Sequence, residues 1–135
     1  MDFFVFISEQ WLLVSVLLIL IYLFALNERR AGGKAVSANE LTRLLNADKA
    51  VLLDVRERKE FEAGHVTGAV HLPHQKVAGS VAQLEKYRDK SIVVADKMGQ
   101  HAGAVGKLLR KQGFEVYRLS GGMMEWQNQN LPLVK

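Results

Sequence analysis

The feature that most limits what this chain can become is an uncharged run, Gln10 to Asn27, close to its start. Phe3 to Ile7 precede it, and Glu9 is the only charged residue between Phe3 and Asn27. A helix over roughly 24 such residues reaches about 36 Å, enough to cross a hydrocarbon core of about 30 Å. Apolar side chains fall on all sides of that helix, so it is not a surface helix with a polar stripe. Trp11 and Tyr22 stand near its ends, where amphipathic rings favour the membrane interface. A cleaved signal peptide needs a basic start and small residues at its end. This segment begins with Asp2 and runs through Phe24-Ala25-Leu26. Residues 1–30 therefore read as an uncleaved single-span anchor, with residues 3–27 in the membrane. Arg29, Arg30 and Lys34 follow the span while Asp2 and Glu9 precede it, which puts the C-terminal part in the cytoplasm. Residues 31–35, with Gly32 and Gly33, read as a short flexible linker.

Residues 36–135 have the pattern of one α/β domain. Ser37 begins a capping box with Glu40, followed by Leu41, Leu44 and Leu45 at helical spacing. Val51-Leu52-Leu53-Asp54-Val55 and Ile92-Val93-Val94-Ala95 are short, nearly continuous apolar runs, as in strands buried on both faces. Further strands are expected at Ala69–Leu72 and Glu115–Leu119. Helices are expected at Arg58–Ala63, Val81–Tyr87, His101–Gln112 and Met123–Gln127. Strands alternating with helices imply a mainly parallel sheet.

Charge and composition narrow the function classes. The net charge is +4; residues 1–30 hold three acids and two bases, so residues 31–135 carry +5. There is no basic stripe interleaved with aromatics and no Cys/His finger, so nucleic acid is not an expected partner. With no cysteine there is no thiolate and no disulfide. The four histidines, His65, His71, His74 and His101, lack metal-ligand spacing, so no metal and no cofactor are expected.

Ligands of open α/β sheets collect at the carboxyl ends of strands, where Asp54 and Asp96 stand. Asp96 opens the loop Asp96-Lys97-Met98-Gly99-Gln100-His101 between a strand and a helix. Such a junction aims successive backbone N–H groups at one spot, beside the positive end of a helix dipole. A phosphate or metal site using both carboxylates is one reading. The other is structural: Asp54 pairing with Arg56, and Asp96 capping its own loop.

The segment from Asp54 to Pro73 contains Asp54-Val55-Arg56, then Glu60-Phe61-Glu62-Ala63-Gly64-His65-Val66-Thr67-Gly68-Ala69. It resembles the Asp-x-Arg…Glu-Phe-x-x-Gly-His-Ile-x-Gly-Ala signature of rhodanese-like domains. Gly121-Gly122-Met123-Met124-Glu125-Trp126 resembles that family's Gly-Gly…Trp ending, and the Asp96 loop falls where the family's active-site loop belongs. The resemblance covers about residues 35–130 and implies a five-stranded α/β domain. Together with the apolar run, it is similar to single-span, rhodanese-domain inner-membrane proteins of proteobacteria. Active members have Cys-x-x-Gly-x-Arg in the loop. Here Asp96 takes the cysteine position, Gly99 the glycine and His101 the arginine.

Sulfur transfer needs a polarizable thiolate that carries sulfur as a persulfide. A carboxylate is a hard, weak nucleophile and forms no stable adduct of that kind. The expectation is a non-catalytic binding or scaffold module of the bacterial inner membrane, working on a protein partner at or near the membrane. A thiosulfate sulfurtransferase or sulfur carrier, served by a thiol from elsewhere, and the Asp-based phosphate or metal site are the alternatives.

Overall fold

The computed structural model describes residues 3–135, with the side chains of 6, 7 and 28–31 outside that description. The chain divides into two units, residues 1–30 and 31–135. Helix α1 (Phe3–Ala31) accounts for the first. Its stretch Phe3–Asn27 is long and apolar enough to cross a membrane. The large side chains from Trp11 to Phe24 are exposed. The charge asymmetry read from Asp2, Arg29 and Arg30 rests on side chains outside the described residues.

The second unit is a five-stranded sheet in the order β1-β5-β4-β2-β3. The strands are β1 (Lys34–Val36), β2 (Ala50–Asp54), β3 (Val70–His71), β4 (Ser91–Ala95) and β5 (Val116–Leu119). Every neighbouring pair is parallel. Helices α2 (Ala38–Asn46), α3 (Arg58–Ala63), α4 (Ala102–Lys111) and α5 (Gly122–Asn128) connect and cover the strands. The two apolar runs picked out in the sequence form the central pair, in register from Ala50↔Ser91 to Asp54↔Ala95. Alternate residues feed opposite faces, as a pleated strand requires. Val51, Leu53, Ile92 and Val94 pack with Val105 and Leu109 of α4. Leu52, Val93 and Ala95 pack with Leu41 of α2 and with Met123 and Trp126 of α5.

Local signals explain most element ends. The Glu40 N–H donates to Ser37 Oγ at 3.1 Å, making the first half of the capping box. Gly64 closes α3, its N–H donating to the Phe61 carbonyl. Residues 81–87 are helical as expected, in the 3-10 form. One expectation changes. The connection read as a flexible linker is ordered: α1 continues to Ala31, Lys34–Val36 is edge strand β1, and Gly32 and Gly33 are buried. A strand of three residues, of which only Val36 enters the core, has too few positions to show a period. Its order comes instead from pairing with β5, from Lys34↔Tyr117 to Val36↔Leu119.

Candidate functional site

The loop from Asp96 to His101 leaves the carboxyl end of β4 and runs into the N-terminus of α4. Asp96 is 2% exposed. Its carboxylate accepts the backbone N–H groups of Gly99, His101 and Ala102, the last at 3.2 Å. Gly99 has φ +99°, a conformation glycine adopts without strain, which folds the loop back over the carboxylate. The α4 dipole adds to the preference for negative charge at this point. The N–H cradle expected from the sequence therefore exists, and Asp96 fills it.

The glycine turn after β5 braces the loop from behind. Met123 N–H donates to the Asp96 carbonyl at 2.7 Å, and Met124 N–H to the Lys97 carbonyl at 3.0 Å. Gly121 and Gly122 have φ of +73° and +63°. A Cβ on Gly122 would lie 2.6 Å from the Asp96 carbonyl oxygen, so only glycine permits this approach. Trp126 is buried one turn further on, with Nε1 donating to the Pro132 carbonyl at 3.1 Å.

The other motif residues build the wall facing the loop. Asp54 is fully buried and paired with Arg56, whose Nη2 lies 2.8 Å from its Oδ2. The same Nη2 donates to the Gly64 carbonyl, tying β2 to the end of α3. His65 Nδ1 lies 2.9 Å from the Phe61 carbonyl. His71 Nε2 lies 2.8 Å from the Arg56 carbonyl. The Phe61 ring is sandwiched between the two imidazoles, with centroids 3.9 and 4.3 Å away. Gly68, at φ +80°, makes the turn that leads into β3.

Between loop and wall lies a pocket of about 90 Å³ lined by Val55, Arg56, Glu57, Glu60, His74, Asp96, Lys97, Gln100 and His101. His74 and His101 stack face to face, 3.7 Å between centroids and 4° from parallel. They also border a second, more apolar hollow of about 120 Å³ against α4. The structure thus gathers Arg56, Glu60 and the loop residues Asp96, Lys97, Gln100 and His101 at one pocket. It leaves Asp54, Phe61, Gly64, His65, Gly68, Gly121, Gly122 and Trp126 as framework. Met98, at the loop's tip, is exposed. Glu57 is a pocket residue that the sequence reading passed over, and His74 is one that it weighed only as a metal ligand. The available signal was position, since His74 follows β3 at its carboxyl end as Asp96 follows β4.

The chemistry open to this arrangement is narrow. Asp54 is committed to Arg56 and does not line the pocket, so the two aspartates do not make a joint site. Among the described residues, no group of three His, Asp or Glu side chains is placed to hold a metal ion. The cradle that would hold an external anion is occupied by an internal one.

Residues 37–129 match the family described as the rhodanese-like domain. This chain belongs to the rhodanese-like domain family. Protein YibN of Escherichia coli K12 is 38% identical over 104 residues, which are 76% of this chain and 73% of that one. The thiosulfate sulfurtransferase GlpE of Shewanella oneidensis is 31% identical over 98 residues, 72% of this chain and 95% of that protein. Among solved structures, a rhodanese-related protein from Thermoplasma volcanium superposes with a TM-score of 0.69 at 25% identity, covering 75% of this chain and 97% of that one. The five-stranded parallel sheet and its helices are the rhodanese fold, and the family's relatives include sulfurtransferases.

Proposed function

We propose that this protein is a membrane-anchored rhodanese-like module that has given up sulfur transfer and works by binding a protein partner at the cytoplasmic face of the bacterial inner membrane. One observation carries the reading: the Asp96 carboxylate sits in the loop's N–H cradle, where active members of the fold place a cysteine. In thiosulfate sulfurtransfer a thiolate attacks the outer sulfur, sulfite departs, and the resulting persulfide passes its sulfur to an acceptor such as cyanide. Asp96 supplies neither the soft nucleophile nor the carrier bond. Its charge and hydrogen bonds also oppose a second anion in the same place. The anchor half of the reading rests on the length and composition of Phe3–Asn27, and the orientation on the cations that follow it.

The relation to a thiosulfate sulfurtransferase makes the competing activity concrete, and an assay separates the two. Thiosulfate:cyanide transfer by the full chain is expected at background. Asp96→Cys, which restores a thiol beside the same N–H groups, is expected to raise it above background. Turnover by the unaltered chain that disappears in Asp96→Ala would overturn the non-catalytic reading.

A further inference from the structure

We propose that the pocket at the Asp96 loop and the apolar hollow beside it receive two side chains of one protein partner, a basic one in the pocket and an apolar one in the hollow. The proposal rests on the reading of this domain as a protein-binding module and adds the chemistry of what it binds.

The first support is size. The pocket holds about 90 Å³ and the hollow about 120 Å³. At roughly 30 Å³ per water molecule, each has room for about three or four waters, or for the end of one side chain. Pockets that enclose a whole small molecule run to about 300–1,000 Å³. His74 and His101, stacked 3.7 Å apart, line both spaces. Two spaces of side-chain size that share a wall suit near neighbours in one peptide. In an extended segment, residues i and i+2 point the same way, about 7 Å apart.

The second support is charge. Asp96 takes up the N–H groups that would otherwise draw an anion to this pocket. Arg56 also lines it, but its guanidinium is paired with Asp54 and bonded to the Gly64 carbonyl. The other charged residues of the lining are Glu57, Glu60 and Lys97. Glu57 precedes α3 and Glu60 lies in its first turn, three residues on, a spacing that puts both on one side. Glu57 accepts the neutral amide of Gln75 at 3.2 Å, and His74 Nε2 stands 3.9 Å from it. The half-buried Glu60 carboxylate has no hydrogen-bond or ion-pair partner among the described residues. Lys97 is exposed, and its long stem lets the ammonium turn to water. An ammonium or guanidinium from outside completes this lining with charge-assisted bonds.

The third support is the hollow. Besides the two histidines it is lined by Val77, Ala104, Val105 and Leu108. Val77 and Val105 belong to the buried core, so packing fixes this surface before any partner arrives. Met98, exposed at the tip of the neighbouring loop, adds an adaptable apolar contact. An apolar side chain that leaves water for the hollow supplies affinity, and its basic neighbour supplies the selectivity.

The test uses the full chain in phosphatidylcholine nanodiscs, with isotope-labelled methyl groups read by NMR. The probes are the acetylated and amidated tripeptides Leu-Ala-Arg and Arg-Ala-Leu, each with a counterpart in which citrulline, an uncharged isostere, replaces arginine. At least one arginine peptide is expected to shift the methyl signals of Val77, Val105 and Leu108 saturably. Its Kd is expected to lie about fivefold or more below that of its citrulline counterpart, the scale of an ion pair at a partly exposed rim. Glu60→Gln, in a protein of unchanged circular dichroism, is expected to remove most of that difference. Exchanging the peptide's leucine for alanine is expected to remove most of the shift at Val77 and Val105. No saturable shift with either arginine peptide, equal affinity for arginine and citrulline, or a preference untouched by Glu60→Gln overturns the proposal. So do shifts at Val77 and Val105 that persist without the leucine. None of these results bears on sulfur transfer, so the non-catalytic reading stands or falls separately on its thiosulfate assay.

Discussion

At Asp96 a single side chain sets both the shape of the loop and the limit on its chemistry. A buried carboxylate that accepts three backbone N–H groups holds Gly99, His101 and Ala102 in one arrangement. Asp96→Ala removes the acceptor of all three bonds and leaves the buried Ala102 N–H unpaired, a loss of about 2–4 kcal/mol. For a domain of this size each kcal/mol moves Tm by roughly 4–8 °C, so a fall of about 10 °C or more is expected in thermal unfolding. Asp96→Asn keeps an acceptor oxygen at the same place and is expected to lose less than half as much. Equal losses for the two variants would mean that the carboxylate's hydrogen bonds are not what hold the loop. Gly122 limits the loop from the other side. Its positive φ and the 2.6 Å approach to the Asp96 carbonyl both exclude a side chain, so Gly122→Ala combines backbone strain with a clash against backbone that has no slack.

Among the elements, β1 and α4 carry the test that separates packing from propensity. Gly103 and Gly106 lie in the same helix, and a helical glycine is about 1 kcal/mol less favourable than alanine. A Cβ at Gly103 meets nothing within 4 Å, whereas at Gly106 it runs into the Gly32 backbone. Gly103→Ala is expected to stabilise the domain by up to about 1 kcal/mol. Gly106→Ala is expected to destabilise it by about 1–3 kcal/mol, with faster hydrogen exchange at residues 34–36 and at Ser120, whose N–H donates to the Val36 carbonyl. The same pair shows how far the sequence could be read. Strands β2 and β4 announced themselves because each has four successive apolar positions, 50–53 and 92–95, all buried. The glycines of α4 were legible as sites of close approach, but not what approached them. Strand β1 was illegible, since its order comes from a partner more than eighty residues away. The stack of His74 on His101 was hidden for the same reason: it joins the ends of two elements that only the sheet order brings together. The cradle of the loop was legible, because an aspartate, a glycine and a helix start within six residues fix it locally.

For the molecule as a whole, the question is which way the domain faces. Orientation of a single span follows the lysines and arginines within about 15–20 residues of its ends. On the N-terminal side, residues 1–9 supply none, only Asp2 and Glu9. On the C-terminal side Arg29, Arg30 and Lys34 lie within seven residues of Asn27. A bias of three against none favours retaining the C-terminal side in the cytoplasm, and acids count for little, so Asp2 and Glu9 do not offset it. A fluorescent protein fused after Lys135 is therefore expected to be bright, and an alkaline phosphatase fused there to be inactive. Replacing Arg29, Arg30 and Lys34 together by glutamine is expected to produce measurable phosphatase activity, because the cations nearest the span are then gone. A phosphatase that is active on the unaltered chain would place the domain outside the cytoplasm. The pocket formed by the Asp96 loop would then face partners of a different compartment.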